Sequence, residues 1–219
     1  MNITISDNIK ALCPSLTLGI IECKICNTPY DQKLWDVINA EIENFSQQYS
    51  IPEINKIPSI QSTRMAYKKC GKDPNRYRPS SEALARRIVS GKGLYQISTG
   101  VDLINYISFK TGYSIGAFDA QHIIGDISYG IGTKNEVYNG IGRGLLNIEG
   151  LPILRDEKGG IGTPTSDEER TKLSLDTTSL LININGYLGH EALQAVVDET
   201  VAAIQEYLDA KDIKVRYIS

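Results

Sequence analysis

The chain is poor in the side chains that most often carry catalysis. Its 219 residues include two histidines, four cysteines, one tryptophan and two methionines. His122 and His190 are far apart in sequence and have no obvious partner, which argues against a Ser-His-Asp or Cys-His site. Surface or helix-capping roles are expected for both. Cys13, Cys23, Cys26 and Cys70 make no disulfide framework in a chain of this size. Cys23 and Cys26 have Cys-x-x-Cys spacing, yet no second pair completes a four-ligand zinc site. Cys23 also lies inside an apolar run rather than at a helix start, where a redox thiol is activated. Small buried packing residues are the expectation. No apolar run approaches the roughly 18 residues of a membrane span. The start, Met1-Asn2-Ile3-Thr4-Ile5-Ser6, has no basic stretch before an apolar one, so a cytoplasmic protein without a signal peptide is expected, with no membrane partner.

Nucleotide-binding and hydrolase signatures are missing too. Gly-Ile-Gly occurs at 130–132, 140–142 and 160–162. None leads into Gly-Lys-Ser/Thr and none clearly opens a helix after a strand, so these read as turn glycines. There is no Gly-x-Ser-x-Gly elbow. Asp156, Glu157, Asp167, Glu168 and Glu169 lack the spacing of a calcium loop and read as a solvated acidic loop. No cofactor and no metal are expected.

What is present is ordinary globular composition, 41% hydrophobic and 22% charged, enough for one large domain or two small ones sharing a core. A single domain over 1–219 is the expectation. The net charge of −3 argues against a dedicated non-specific nucleic-acid binder. The total hides an asymmetry. Between Arg64 and Lys92 stand nine basic residues (Arg64, Lys68, Lys69, Lys72, Arg76, Arg78, Arg86, Arg87, Lys92) against only Asp73 and Glu82. Such a run either attracts an anionic partner or forms solvated helix faces.

Periodicity places the elements. Strands are expected at Ile3–Ile5, Leu16–Ile21, Leu94–Ile97, Leu151–Leu154, Leu180–Ile184 and Ile213–Ile218. Thr28 and Pro29 suit a helix start, after which Trp35, Ile38, Ile42, Phe45 and Tyr49 recur at helical spacing as a core stripe. Further helices are expected around Ser62–Lys69, after a Ser80 or Ser81 cap, from Thr99 to Gly112, and after Gly189 with the stripe Leu193, Val196, Val197, Val201, Ile204, Tyr207 and Leu208. Trp35 and the last helix should be buried. From Ser114 onward, frequent glycines between short apolar pairs favour strands and tight turns, with 155–172 as a polar loop. The sum is α+β, sheets covered by helices.

One stretch is more specific. Asp73-Pro74-x-x-Tyr77-x-Pro79-Ser80-x-Glu82-Ala83-Leu84-x-x-Arg87-Ile88 precedes Val101-Asp102-x-x-Asn105-Tyr106-Ile107-Ser108. Then comes Thr111-Gly112-Tyr113-Ser114-Ile115-Gly116-Ala117-Phe118-Asp119-Ala120, with Ile124-Gly125-Asp126-Ile127 behind it. This pattern resembles the tRNA-editing domain of the phenylalanyl-tRNA synthetase beta subunit, its joined third and fourth modules, over about Gln61 to Tyr187. The resemblance implies a three-layer β/β/α sandwich with flanking helices. It also implies a ligand class, since in that family the domain receives the mischarged end of tRNA and hydrolyses tyrosine from it. No aminoacylation core accompanies it here, so the chain looks like a free-standing relative rather than a ligase.

Carried over by residue, the family's pocket arginine falls on Tyr95, its histidine on Gly116 and its glutamate on Asn183. A further threonine has no match. Hydrolysis by the family's route is therefore not expected. The motif framework Asp102, Asn105, Phe118 and Asp119 remains. Structural roles suffice for these four: Asp102 bracing a helix, Asn105 bonding backbone, Phe118 in the core and Asp119 holding a turn. Arg64, Arg76, Arg78, Arg86 and Arg87 are candidates for RNA contact, as arginine suits phosphate bidentately, and each is equally suited to an ion pair. Tyr67 and Glu136 are further polar candidates. Three functions follow: recognition of aminoacyl-tRNA with weak or rewired hydrolysis, binding of an amino-acid-like small ligand without the chemistry, or a structural interaction domain.

Overall fold

Two-residue alternation in one strand organises the molecule. Seen in a computed structural model that describes residues 1–219, the run Ser179–Gly186 is a strand buried along nearly its whole length. Leu180, Ile182 and Ile184 belong to one hydrophobic core and Leu181 to another. A strand that feeds two cores must lie in a middle layer.

The elements run β1 (Ile3–Ile5), α1 (Asp7–Leu12), β2 (Thr17–Lys24), α2 (Gln32–Gln48), α3 (Pro58–Lys69), α4 (Ser80–Val89), α5 (Thr99–Thr111), β3 (Ile115–Asp119) and β4 (Ile127–Ile131). A small hairpin of β5 (Asn139–Gly140) and β6 (Gly144–Leu145) follows. Then come β7 (Pro152–Asp156), β8 (Gly159–Gly162), β9 (Ser179–Gly186), α6 (His190–Leu208) and β10 (Lys211–Ile218). The middle sheet has the order β10-β2-β9-β3, all antiparallel, and the second sheet β1-β4-β7-β8 has one parallel pair, β1 with β4. Helices α2, α4, α5 and α6 cover the outer face of the middle sheet through a core that includes Leu34, Ile38, Phe45, Ile107, Leu193 and Val197. Between the sheets, Leu18, Ile20, Phe118 and Leu181 meet Ile3, Tyr129, Leu154 and Ile161. The architecture is α+β in three layers, helices on sheet on sheet. No helix is long and apolar enough to cross a membrane.

Helix α5 shows how sequence sets an element and its end. Leu103, Ile104 and Ile107 are buried on one side and Phe109 on the other, so the helix is packed nearly all round. Gly112 stops it at φ 74°, a left-handed conformation that glycine adopts without a Cβ penalty. A Cβ there would also lie 2.3 Å from Ser59 Oγ.

Several expected details change. Helix α2 starts later, capped by Asp31, whose carboxylate accepts the Leu34 N–H at 2.8 Å. Thr28 instead shares a 2.6 Å hydroxyl bond with Thr99. Trp35 is half-buried, its indole N–H donating to Asp102. In α6, Val201 and Tyr207 are partly covered while the other stripe residues are buried. Neither serine caps α4: Pro79 precedes it without a side-chain cap bond. The stretch 94–97 is irregular, because the Ile97 N–H is taken by Asp102 Oδ1 at 2.9 Å rather than by a neighbouring strand.

The acidic segment is the largest correction. Residues 155–172 are not a solvated loop. They contain strand β8, and Asp156 accepts the Lys158 and Gly159 N–H groups to make the β7–β8 turn. Arg170 grips the same carboxylate twice, both bonds at 2.9 Å. Burial pulls the Asp156 carboxyl up, but these bonds outweigh it and hold it below the usual range. Spacing alone did not show that Arg170 folds back to neutralise the segment.

Candidate functional site

A cavity of about 550 Å³ opens between helices α4 and α5, strand β3, the β5–β6 hairpin and the stretch 163–173. That is within the range of about 300–1,000 Å³ found for small-molecule sites. Leu84, Val101, Ile104, Ile115 and Leu173 give it an apolar wall, and Ser80, Asn105, Ser108, Thr163 and Ser166 contribute polar groups. Three charged residues complete it: Asp167, Arg143 and Lys172. The wall is rigid where it needs to be. Ser80 N–H bonds Pro164 O at 2.7 Å, tying α4 to the 163–173 stretch. Thr165 is held by the Tyr67 hydroxyl at 2.8 Å, and the Thr163 hydroxyl accepts from Thr165 and Ser166.

Asp167 is the chemically unusual member. Its Oδ2 accepts the Ala117 N–H at 3.2 Å from β3, and no cation bonds it. Burial pushes its carboxyl up to about 7, and the single backbone donor pulls it down only partly. Two glycines clear the space. A Cβ on Gly116 would lie 3.1 Å from Asp167 Oδ1, and one on Gly162 3.0 Å from the same oxygen. Both would also press on the Phe118 ring, at 2.6 and 2.5 Å. Any side chain at either position would therefore displace the carboxylate or the ring.

Among the residues singled out from sequence, Tyr95 and Asn105 line this cavity. The Asn105 side chain makes no hydrogen bond within the protein, so it does not bond backbone as expected. Gly116 sits behind Asp167, and the volume that the family's histidine would need is taken by the Asp167 carboxylate and Phe118. Asn183 faces the space between the sheets. It pairs across the sheet with Gly116 and Ile20, donates to Asn185 Oδ1 at 3.1 Å and leaves its own oxygen buried without a partner. It does not line the cavity. Asp102 braces the rim, accepting from Trp35 and from the Ile97 N–H, and burial raises its carboxyl. Asp119 accepts the Gln121 N–H and the Thr177 hydroxyl, holding a turn. Phe118 is core.

The basic run divides: Lys68, Lys69, Arg76, Arg78 and Lys92 are exposed, while Arg64, Lys72, Arg86 and Arg87 are half-buried or buried. Glu82 is fully buried and receives Arg64 at 2.7 Å, Arg86 at 2.8 Å and Arg78 at 3.6 Å. Lys72 donates to two backbone carbonyls, Asn147 and Glu149. Arg87 lies over the Tyr95 ring, and Arg76 is exposed beside Tyr77. None of the nine basic residues lines the cavity; the cations that do, Arg143 and Lys172, come from outside the run. Glu136 is engaged by Arg155 at 2.6 and 2.7 Å, and Tyr67 is buried. Of the histidines, His122 is exposed near Asp119, and His190 opens α6 against the Tyr217 ring. All four cysteines are free; Cys13 and Cys23 are buried, Cys26 is exposed and Cys70 is half-buried.

Sequence reading missed Asp167, Arg143 and Lys172. Asp167 looked like one acid among Asp-Glu-Glu, and Arg143 like a hairpin residue between Gly142 and Gly144. Only the glycines at 116 and 162 hinted at close packing there.

Comparison with known proteins adds the family. The model of the B3/4 domain matches residues 62–207. The N-terminal fragment of the phenylalanyl-tRNA synthetase beta-subunit from Pyrococcus horikoshii superposes on 100% of this chain with a TM-score of 0.50 and 15% sequence identity. The chain spans 50% of that structure, and at this identity the likeness is one of fold. No curated protein matches the chain significantly.

Proposed function

The chain belongs to the B3/4 domain family, and on that premise we propose that its cavity receives the aminoacylated 3′ end of an RNA. The observation that carries this reading is the combination of a half-buried carboxylate without a cation, an apolar wall and two cations in one cavity. Asp167, once ionised, suits an α-ammonium group; the apolar wall suits an amino-acid side chain; Arg143 and Lys172 suit phosphate. A free amino acid would bring its own α-carboxylate to one of these cations, whereas an RNA-linked one, its carboxyl esterified, would bring phosphates; Lys172 meets Glu169 at 2.6 Å, and Arg143 has no ion-pair partner in the protein. The likeness to a phenylalanyl-tRNA synthetase fragment favours the RNA-linked ligand over the small-ligand alternative.

Binding is tested with a short RNA hairpin whose 3′ terminal ribose carries amide-linked tyrosine, which cannot be hydrolysed. Replacing Arg143 and Lys172 together by alanine should weaken binding about tenfold near physiological salt and flatten its salt dependence by roughly two phosphate contacts. Affinity that is independent of salt, or equal competition by free tyrosine, would move the assignment to the small-ligand reading. Arg64, Arg78 and Arg86 are poor targets for this test because each supports Glu82.

Efficient tyrosine removal is not expected. Losing one oxyanion-stabilising donor typically costs about 10²–10³ in rate, and here Tyr95, Gly116 and Asn183 stand where the resemblance places polar or ionisable groups. Release of labelled tyrosine from tyrosyl-tRNA(Phe) in a single-turnover assay should match the protein-free control. Fast release that disappears in Asp167→Asn would establish a rewired hydrolytic site.

A further inference from the structure

The rim of the cavity carries an aromatic ring whose exposure the fold does not require. Tyr95 is 57% exposed and Ile97 58%, on an irregular segment between α4 and α5. The Arg87 guanidinium lies 3.7 Å from the centre of the Tyr95 ring and bonds its hydroxyl at 3.0 Å. A second guanidinium nitrogen bonds Lys92 O at 3.2 Å. Arg87 is thus held between the helix and the segment, and it covers one face of the ring. Tyr95 is nevertheless more than half exposed and lines the edge of the cavity that holds Asp167, so a second group can reach the ring there.

We propose that Tyr95, backed by Arg87, is a stacking platform for the terminal nucleobase of the RNA whose aminoacyl end enters the cavity. The inference rests on the function proposed above and names the contact that fixes the strand's end. A base is attached to the ribose that bears the aminoacyl group, so a strand that places the amino acid in the cavity carries its last base to the rim. A π-face accepts any base, which suits an RNA end read without pairing. The guanidinium behind the ring adds a favourable charge next to a polyanion and holds the ring, lowering the entropy lost on stacking. A protein partner seeking an apolar patch would instead meet Arg87 and Lys92 beside the ring and Lys172 and Arg143 across the cavity. That charge favours a nucleic acid.

The test compares the tyrosine-bearing hairpin with an otherwise identical hairpin whose terminal nucleotide is abasic. The native protein should prefer the base-bearing RNA about 5- to 100-fold, the range for stacking of one base on an aromatic side chain. Tyr95→Leu should abolish the preference, and Tyr95→Phe should keep it, because the ring rather than the hydroxyl does the stacking. Tyr95→Trp supplies a direct signal, with Trp35 the only other indole; its fluorescence should be quenched by the base-bearing RNA and not by the abasic one. Equal binding of the two RNAs, with Asp167→Asn still weakening both, would overturn the platform and leave the aminoacyl pocket standing. Failure of the native protein to bind either RNA would overturn both. Because Tyr95 is exposed, these variants do not threaten folding.

Discussion

Asp167→Asn should weaken binding of the tyrosine-bearing hairpin about 10- to 100-fold at pH 8, and the variant should nevertheless be more stable than the native protein. Both effects come from one half-buried carboxyl that lines the cavity. Its pKa is raised from 3.8 to about 7 in the folded protein. The folded state therefore holds a proton that the unfolded chain has released between these values. For a carboxyl shifted upward, stability is greatest below about pH 4 and is lost as pH rises towards 7. At pH 8 the native protein carries an ionised group with no cation beside it, a cost of roughly 1–3 kcal/mol. Asparagine keeps the acceptor for the Ala117 N–H and removes the charge. The variant's advantage should grow from about pH 4 to pH 7 and level off above it, worth about 2–4 °C in Tm per kcal/mol for a chain of this size. Parallel stability curves for the two proteins would refute the assignment.

The ligand reverses the balance. An ammonium group supplies the missing partner, so affinity should be highest between about pH 7, where the carboxyl ionises, and about pH 8, above which the α-amino group loses its proton. It should fall by up to about tenfold per pH unit below about pH 7, as the proton must be displaced. Acetylating the hairpin's tyrosine nitrogen should remove the same interaction. Acetylation and Asp167→Asn should then be non-additive, as expected for two ends of one contact. Additive losses would mean that the carboxylate and the ammonium do not meet. A site that is costly when empty and satisfied when filled is a common compromise between stability and function.

The second large effect is at Glu82. Glu82→Ala should destabilise the protein by about 3–5 kcal/mol, because breaking a buried ion pair from one side leaves the other side uncompensated. Three arginines converge here from different segments: Arg64 from α3, Arg78 from the connector and Arg86 from α4 itself. Arg64 also donates to Pro74 O and Asn75 Oδ1, and Arg86 to Ile51 O. The carboxylate therefore joins four stretches of chain, not two side chains. Arg78→Ala alone should cost below about 1 kcal/mol, since that side chain is 44% exposed and the more distant partner. Thermal unfolding checks both. A Glu82→Ala protein that melts within about 2 °C of the native one would show that water replaces the carboxylate at little cost.

The same cluster shows why the basic run was ambiguous in the sequence. Nine cations against two acids looked like an anion-binding surface. The one acid at the centre, Glu82, sits four residues before Arg86, a spacing that brings charges together along helix α4. Arg64 arrives from another helix, and no local pattern announces it. Charge counted along the chain does not tell whether side chains point out or meet at a buried partner.

Local periodicity alone determined the existence of most elements: the strand at Leu180–Ile184, the helix after Gly189, the helix closed by Gly112 and the α+β class, because apolar spacing reflects which face is buried wherever the element lies. The motif from Asp73 to Ala120 placed the chain near its family, since a spaced set of residues survives when most of the sequence does not. The site was decided by tertiary structure. Asp167 is an ordinary acidic residue until β8 and the following stretch fold back on β3, where Gly116 and Gly162 leave room for its carboxylate and burial raises its pKa. Asn183 is at the position matched to a pocket acid, yet strand alternation turns it between the sheets. A carboxylate's chemistry depends on what surrounds it within a few ångströms, and the groups around Asp167, from Gly116 to Arg143, are separated by tens of residues along the chain.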